Sequence, residues 1–162
     1  ALPSRNANSE TRCLKRDRAG RLWVGTWGSG LFCRQNGEFA ACSAAARLDG
    51  DRISTLFEDR RGNLWVGREN GLVVLPAKSG RALGHESFLK DHHVVSIFED
   101  RRNVLWVGTH QGLMVYKEGR WGSLSADRGM FDNRIYSILD DDLGYLWMSS
   151  ERGIFRARKR EL

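Results

Sequence analysis

Residues 58–72, EDRRGNLWVGRENGL, return almost unchanged at 99–113 as EDRRNVLWVGTHQGL. The same frame fits twice more, as RDRAGRLWVGTWGSGL at 16–31 and DDDLGYLWMSSERGI at 140–154. The tryptophans of the four copies, Trp23, Trp65, Trp106 and Trp147, are spaced by 42, 41 and 41 residues. A period near forty that contains several short apolar runs belongs to propellers and solenoids.

Each copy decomposes into strands and turns by its own chemistry. In RISTLFED, Ile53, Thr55 and Phe57 alternate with Ser54, Leu56 and Glu58, which places the two sets on opposite faces of a first strand. Asp59-Arg60-Arg61-Gly62-Asn63 follows as a tight turn, in which a carboxylate bonds nearby backbone N–H groups and the fourth position takes positive φ. The third copy has Asn103 at that position, the non-glycine residue that best tolerates it.

A second strand, NLWVGR, puts Leu64 and Val66 on one face and Trp65 and Gly67 on the other, and the glycine lets another group approach closely. A third strand opens at Gly30, Gly71, Gly112 and Gly153. The fourth is the least regular: GEFAAC at 37–42 after an Asn36-Gly37 hairpin, SFLK at 87–90 and RWGSLS at 120–125. A four-stranded meander repeated radially is a propeller blade, so the expected fold is all-β. The blades are expected at 9–42, 52–90, 93–125 and 134–160 of a single region, the last without its outer strand.

Composition adds bounds rather than detail. The 162 residues are 41% hydrophobic, with 18 glycines and only 2 prolines, enough for a substantial core. No apolar run reaches membrane-spanning length and no signal peptide is visible at the start, so the segment is expected to make no membrane contact of its own. The net charge of +6 comes from arginines scattered over turns and loop edges, which reads as a solvated basic surface and not a nucleic-acid interface.

The three cysteines form no framework. Cys13 stands in the column of Thr55, Ser96 and Ser137, and Cys33 in that of Val74 and Val115, so both read as packing residues. A two-residue hairpin places Cys33 opposite Ala40 and not opposite Cys42.

Catalytic patterns fail on context. GTWGSG at 25–30 joins two strands, whereas a phosphate cradle opens a helix and carries a lysine. The Ser-x-x-Lys spacing of SFLK lacks a helix and companion motifs. His92 and His93 are adjacent and point to opposite faces of a strand. Asp17, Asp59, Asp100 and Asp141 are each accounted for by their own turn. No catalytic residue, metal or cofactor is expected.

The pattern Asp-x-x-Gly-x-Leu-Trp-Val-Gly-Thr, followed by Gly-Leu and preceded by an alternating strand ending Glu-Asp, resembles the two-component regulator propeller repeat over residues 9–160. Asp17, Trp23, Asp59, Trp65, Asp100, Trp106, Asp141 and Trp147 are the positions that carry it. The resemblance implies a segment of the periplasmic input region of a bacterial sensor, ahead of an immunoglobulin-like domain, a membrane helix and a histidine kinase or GGDEF output. The fourth copy departs from it with Ser149 at the glycine column and Ile154 for leucine, and the first with Arg12 and Lys15 at largely apolar columns.

Two functions compete: a non-enzymatic sensory module that binds a small molecule or a partner domain, and a lactonase-like hydrolase with a metal in a central channel. Seven residues before each turn aspartate, at the expected channel, stand Glu10, Arg52, His93 and Arg134. One acid among basic groups is a poor site for a hard cation, which favours the sensor. The inner strand starts and the loops between second and third strands are expected to gather Arg52, Arg68, His93, His110, Arg134 and Arg152 on one rim, as a weak anion or acidic-sugar site. The outer strand missing from the fourth copy could come from residues 1–8, but Pro3 makes them a poor donor. A homo-oligomer, most simply a two-fold dimer covering the end blades, is therefore expected.

Overall fold

In a computed structural model the chain is all-β, and the structure describes residues 10–35, 37–41, 48–77 and 89–162. The strands are β1 (Glu10–Arg16), β2 (Leu22–Trp27), β3 (Leu31–Gln35), β4 (Glu38–Ala41), β5 (Ile53–Glu58), β6 (Leu64–Arg68), β7 (Gly71–Leu75), β8 (Val94–Glu99), β9 (Leu105–Thr109), β10 (Gly112–Lys117), β11 (Arg120–Leu124), β12 (Ser137–Asp140), β13 (Tyr145–Ser150) and β14 (Gly153–Arg158). They form four antiparallel sheets, β1-β2-β3-β4, β5-β6-β7, β8-β9-β10-β11 and β12-β13-β14, each a propeller blade in which chain neighbours are sheet neighbours.

The turn between the first two strands of every blade is built by its aspartate. Asp59 Oδ1 accepts the N–H groups of Arg61 (2.9 Å) and Asn63 (2.8 Å), and Asp100 Oδ1 those of Arg102 (2.8 Å) and Val104 (3.0 Å). Backbone bonds close the loop, from Asp59 N to Asn63 O and from Gly62 N to Asp59 O, each 3.0 Å. The fourth position has φ of 81° at Gly62 and 60° at Asn103, the left-handed conformation that the sequence requires there.

The second carboxylate oxygen reaches further. Oδ2 of Asp17, Asp59, Asp100 and Asp141 accepts the indole N–H of Trp23 (2.9 Å), Trp65 (2.9 Å), Trp106 (3.3 Å) and Trp147 (3.1 Å). Burial pushes the Asp17 carboxyl up, but the bonds from Trp23 and Arg21 outweigh it and hold the group below its ordinary value.

The chain divides into two compact units, Ala1–Asp91 and His92–Leu162, each with two blades. In the first, Trp23, Leu31 and Cys33 pack against Ile53, Leu64, Val66 and Leu75, with Leu48 enclosed between them. In the second, Trp106 and Leu113 pack against Ile135, Leu146 and Met148. Both units repeat one rule: the tryptophan face of a blade is covered by the Leu-x-Val or Leu-x-Met face of the next.

The glycine after the tryptophan makes this contact possible. A Cβ on Gly25 would lie 2.6 Å from Ile53 Cγ2, and one on Gly108 2.7 Å from the carbonyl oxygen of Ile135. Ile53 opens the first strand of the following blade and Ile135 lies two residues before it, and strict alternation would place Ile53 on the face of Phe57. Instead a bulge between Ile53 and Thr55 turns Ile53 onto the side of Leu56, toward the preceding blade. The same shift occurs between Thr11 and Cys13 and between Val94 and Ser96.

The expected strand at 87–90 is not formed by its described part. Leu89 and Lys90 lie in a turn, and Ser87 and Phe88 lie outside the described residues. Leu89 is fully buried with its carbonyl over Gly71, as the carbonyls of Leu48 and Leu124 lie over Gly30 and Gly112, so it is an anchor of the link between blades. Cys33 pairs with Ala40 across the β3–β4 hairpin, while Asn36 and Cys42 lie outside the described residues. Burial pushes the Cys13 thiol up to about 11, which keeps it unreactive. Among the described residues no helix is long and apolar enough to cross a membrane.

Trp65 and Trp106 are 7% and 3% exposed, whereas Trp147 is 36% exposed. Trp65→Ala and Trp106→Ala should therefore each cost about 3–5 kcal/mol, and Trp147→Ala distinctly less. Chemical denaturation of the three variants checks this ranking, and an unchanged midpoint for Trp106→Ala would contradict it.

Candidate functional site

The start of each first strand meets the loop between the second and third strands of its own blade. Backbone bonds join them, from Glu69 N to Arg52 O (3.0 Å) and from His110 N to His93 O (3.1 Å). This brings together side chains seven residues before the turn aspartate and four after the tryptophan, and the pair differs in every blade. Glu10 is opposite Trp27, Arg52 bonds Glu69 at 2.9 Å, His93 stacks on His110 with centroids 4.1 Å apart, and Arg134 forms an ion pair with Glu151.

In the first unit the cations are already engaged. The guanidinium groups of Arg12 and Arg52 lie over the Trp27 ring at 5.1 and 5.6 Å from its centroid. Arg68, expected on the rim, is turned inward: it is 8% exposed, bonds Asp51 at 2.7 Å and donates to the Asn70 carbonyl at 3.2 Å. Its charge is compensated within the fold.

The second unit carries the denser cluster. His110 stands between His93 and Tyr136, the latter ring edge-on at 6.3 Å. The Tyr136 phenol lies within the influence of both Glu151 and Arg134. Burial raises the pKa of that phenol, and Glu151 raises it further. Beside this group, Asp132 accepts the N–H of Asn133 (2.7 Å) and of Arg152 (3.2 Å). Arg152 donates to the Phe131 carbonyl at 3.3 Å and lies 5.0 Å over the Phe131 ring. Of the six expected rim residues, His93, His110 and Arg134 thus meet in one cluster with Tyr136 and Glu151, and Arg152 is held next to them.

Three of these groups, Tyr136, Glu69 and Glu151, were missed from sequence. Glu69 and Glu151 neutralise Arg52 and Arg134 and stand four residues after Trp65 and Trp147, so counting forward from the tryptophans finds them together with His110. The cluster is consequently polar and aromatic more than cationic: two imidazoles, a phenol and one compensated ion pair. Such a set donates and accepts hydrogen bonds to hydroxyls and carboxylates. Among the described residues no three His, Cys, Asp or Glu side chains are grouped to hold a metal ion.

Burial lowers the His110 pKa below the ordinary value, the Arg134 charge lowers it further, and Glu151 opposes them. With its folded pKa below the unfolded one, His110 is neutral in both states above the unfolded value and opposes folding as pH falls through the interval between them. Side-chain NMR should give His110 a midpoint below 6.5, raised in Arg134→Gln and lowered further in Glu151→Gln. Coincident titration of His110 in all three proteins would show that the pair does not act on it.

The model of the two component regulator propeller matches the chain four times, at residues 5–28, 47–67, 89–111 and 129–152. No curated protein matches the sequence significantly. Among solved structures, the extracellular domain of the proposed hybrid two component system BT4673 of B. thetaiotaomicron is similar with a TM-score of 0.78 and 22% identity over 98% of this chain and 23% of its own. That of BT3049 from the same organism gives 0.75 and 18%, over 98% and 21%. A virginiamycin B lyase from Staphylococcus aureus gives 0.68 and 14%, over 97% and 57%. The chain spans between a fifth and a quarter of each B. thetaiotaomicron domain, and at these identities the likeness concerns the fold.

Proposed function

The chain belongs to the two component regulator propeller family, and from that premise we propose that it is a non-enzymatic sensory segment of a periplasmic input region in a membrane-anchored bacterial sensor. The single observation that carries the reading is the rim cluster of the second unit, His93, His110, Arg134, Tyr136 and Glu151. Its two imidazoles sit at the columns that Arg52 and Glu69 fill with a closed ion pair in the second blade. The second unit thus presents two ring faces where the second blade presents an ion pair.

The ligand class is a weakly bound anion, with an acidic sugar the best fit: hydroxyls meet Tyr136 and the imidazoles, and a carboxylate competes with Glu151 for Arg134. Occupation by an anion stabilises protonated imidazole, so binding is coupled to protonation of His110. The similarity to extracellular domains of two component systems supports the sensory setting, with the state of the site passed to the parent through blade packing.

Titration with uronic acid disaccharides, followed by amide and imidazole shifts, tests this. Shifts should centre on His93, His110, Arg134 and Tyr136 and strengthen as pH falls and His110 takes up a proton, and His93→Ala should weaken them. Shifts spread evenly over all arginines would leave only nonspecific charge. Chelator-sensitive hydrolysis by the purified chain would replace the sensor with the hydrolase reading.

A further inference from the structure

At the strand ends remote from the rim cluster, the second unit encloses a separate cleft of about 580 Å³. It lies between the two turns that follow β8 and β12, bordered by Val104 and Trp106 on one side and by Leu143, Gly144 and Tyr145 on the other. Val115 adds to the apolar lining.

The corresponding place in the first unit, bordered by Asp17, Trp23, Gly62 and Leu75, holds only about 30 Å³. Three columns account for the difference. Arg21, four residues after its turn aspartate, bonds Asp17 at 2.7 Å and lies 5.2 Å over the Trp23 ring, whereas the side chain of Val104 in that column can do neither. Leu75, which fills the first unit's core, is replaced by Ala157. Glu58 accepts the N–H of Arg18 at 3.0 Å and draws the two turns of the first unit together. Its counterpart Asp140 is one methylene shorter and is taken by Lys159 at 2.6 Å. The opening therefore comes from side chains between the two blades and not from the outer edge of either.

The charge on this lining is of one sign. Arg102, Lys117, Arg158, Lys159 and Arg160 border the cleft, against the single carboxylate of Asp100, which is committed to its turn and to the Trp106 indole. Lys159 is held by Asp140, and Arg158 and Arg160 approach Glu161 at 3.9 and 3.7 Å. Among the described residues Arg102 and Lys117 have no carboxylate within ion-pair reach. An apolar cleft of this size with two such cations at its border is complementary to an anion that carries a hydrophobic body. The aromatic rings of Trp106 and Tyr145 in the lining favour a flat body over an alkyl chain.

We propose that this cleft binds a small aromatic carboxylate, its ring among Val104, Trp106, Val115 and Tyr145 and its carboxylate held by Arg102 and Lys117. The site is independent of the rim cluster, which occupies the other ends of the same strands.

The test uses the intact chain labelled with 15N, with 3-phenylpropanoate as probe and 3-phenylpropanamide as its uncharged control. The acid should shift the Arg102, Val104 and Gly144 amides and the Trp106 indole N–H, while the His110 and Tyr136 amides stay in place. The control should bind about tenfold more weakly. Arg102→Gln should weaken the acid about two- to fivefold at low salt, with a smaller loss at high salt. Val104→Arg rebuilds the arrangement of Arg21 in the first blade, so it should keep the fold and abolish binding. Ala157→Leu, which restores the residue of Leu75, should weaken binding by a separate route. Four results would each overturn the proposal: no shift at millimolar probe, equal binding of acid and amide, shifts centred on His110 and Tyr136, or undiminished binding in Ala157→Leu and Arg102→Gln.

Discussion

Everything in this fold turns on one carboxylate per repeat. Oδ1 ties two N–H groups of the turn at Asp59, Asp100 and Asp141 and one at Asp17, and Oδ2 takes the indole N–H of the tryptophan six residues on. Asp17, Asp59 and Asp100 are almost fully buried, where an unpaired carboxylate would be prohibitively costly. The bonds resolve that cost, and in doing so they fix where the ring lies. Trp147 makes the same bond at 3.1 Å although its ring is exposed, so the bond belongs to the repeat itself and does not follow from burial.

With the ring fixed, packing between blades follows. The indole lies on the face that the next blade covers, and the glycine two residues later opens the gap into which Ile53 or Ile135 descends. The first-strand bulge turns Ile53 into that gap. Turn, tryptophan, glycine and bulge are therefore one device for stacking a sheet on the next, and all four return together in the first three blades. The last blade departs at the glycine, with Ser149, and at the bulge, which its β12–β13 register lacks, and opposite the tryptophan it has Arg156 where the others have Cys33, Val74 and Val115. The Arg156 guanidinium lies 4.5 Å over the Tyr145 ring and 5.3 Å over Trp147, giving that face an arginine and aromatic surface in place of an aliphatic one.

The repeat was legible in the sequence because its signals are local. Asp59 and Gly62 define a turn by themselves, and Asn103 at the same place confirms it by its φ of 60°. Non-local features were not legible. The indole bond spans a turn, so no strand periodicity announces it. The bulge after Ile53 breaks the alternation only because a neighbouring sheet holds the side chain, and Leu89 lies in a turn because its carbonyl caps Gly71. At the rim, counting cations found Arg52 and Arg134 but not Glu69 and Glu151, whose proximity depends on how strand and loop meet. Arg68 was placed on the rim from its position in the loop, whereas Asp51 draws it inside.

The central claim is that the aspartate and the tryptophan stabilise the repeat jointly. A double-mutant cycle on Asp59→Ala and Trp65→Phe measures this directly, because phenylalanine keeps most of the apolar volume and removes only the indole N–H. The bond at 2.9 Å predicts a coupling of about 1.5–3 kcal/mol, the range for hydrogen bonds to charged groups. Additive losses, with coupling near zero, would show that turn and ring are independent and contradict the account.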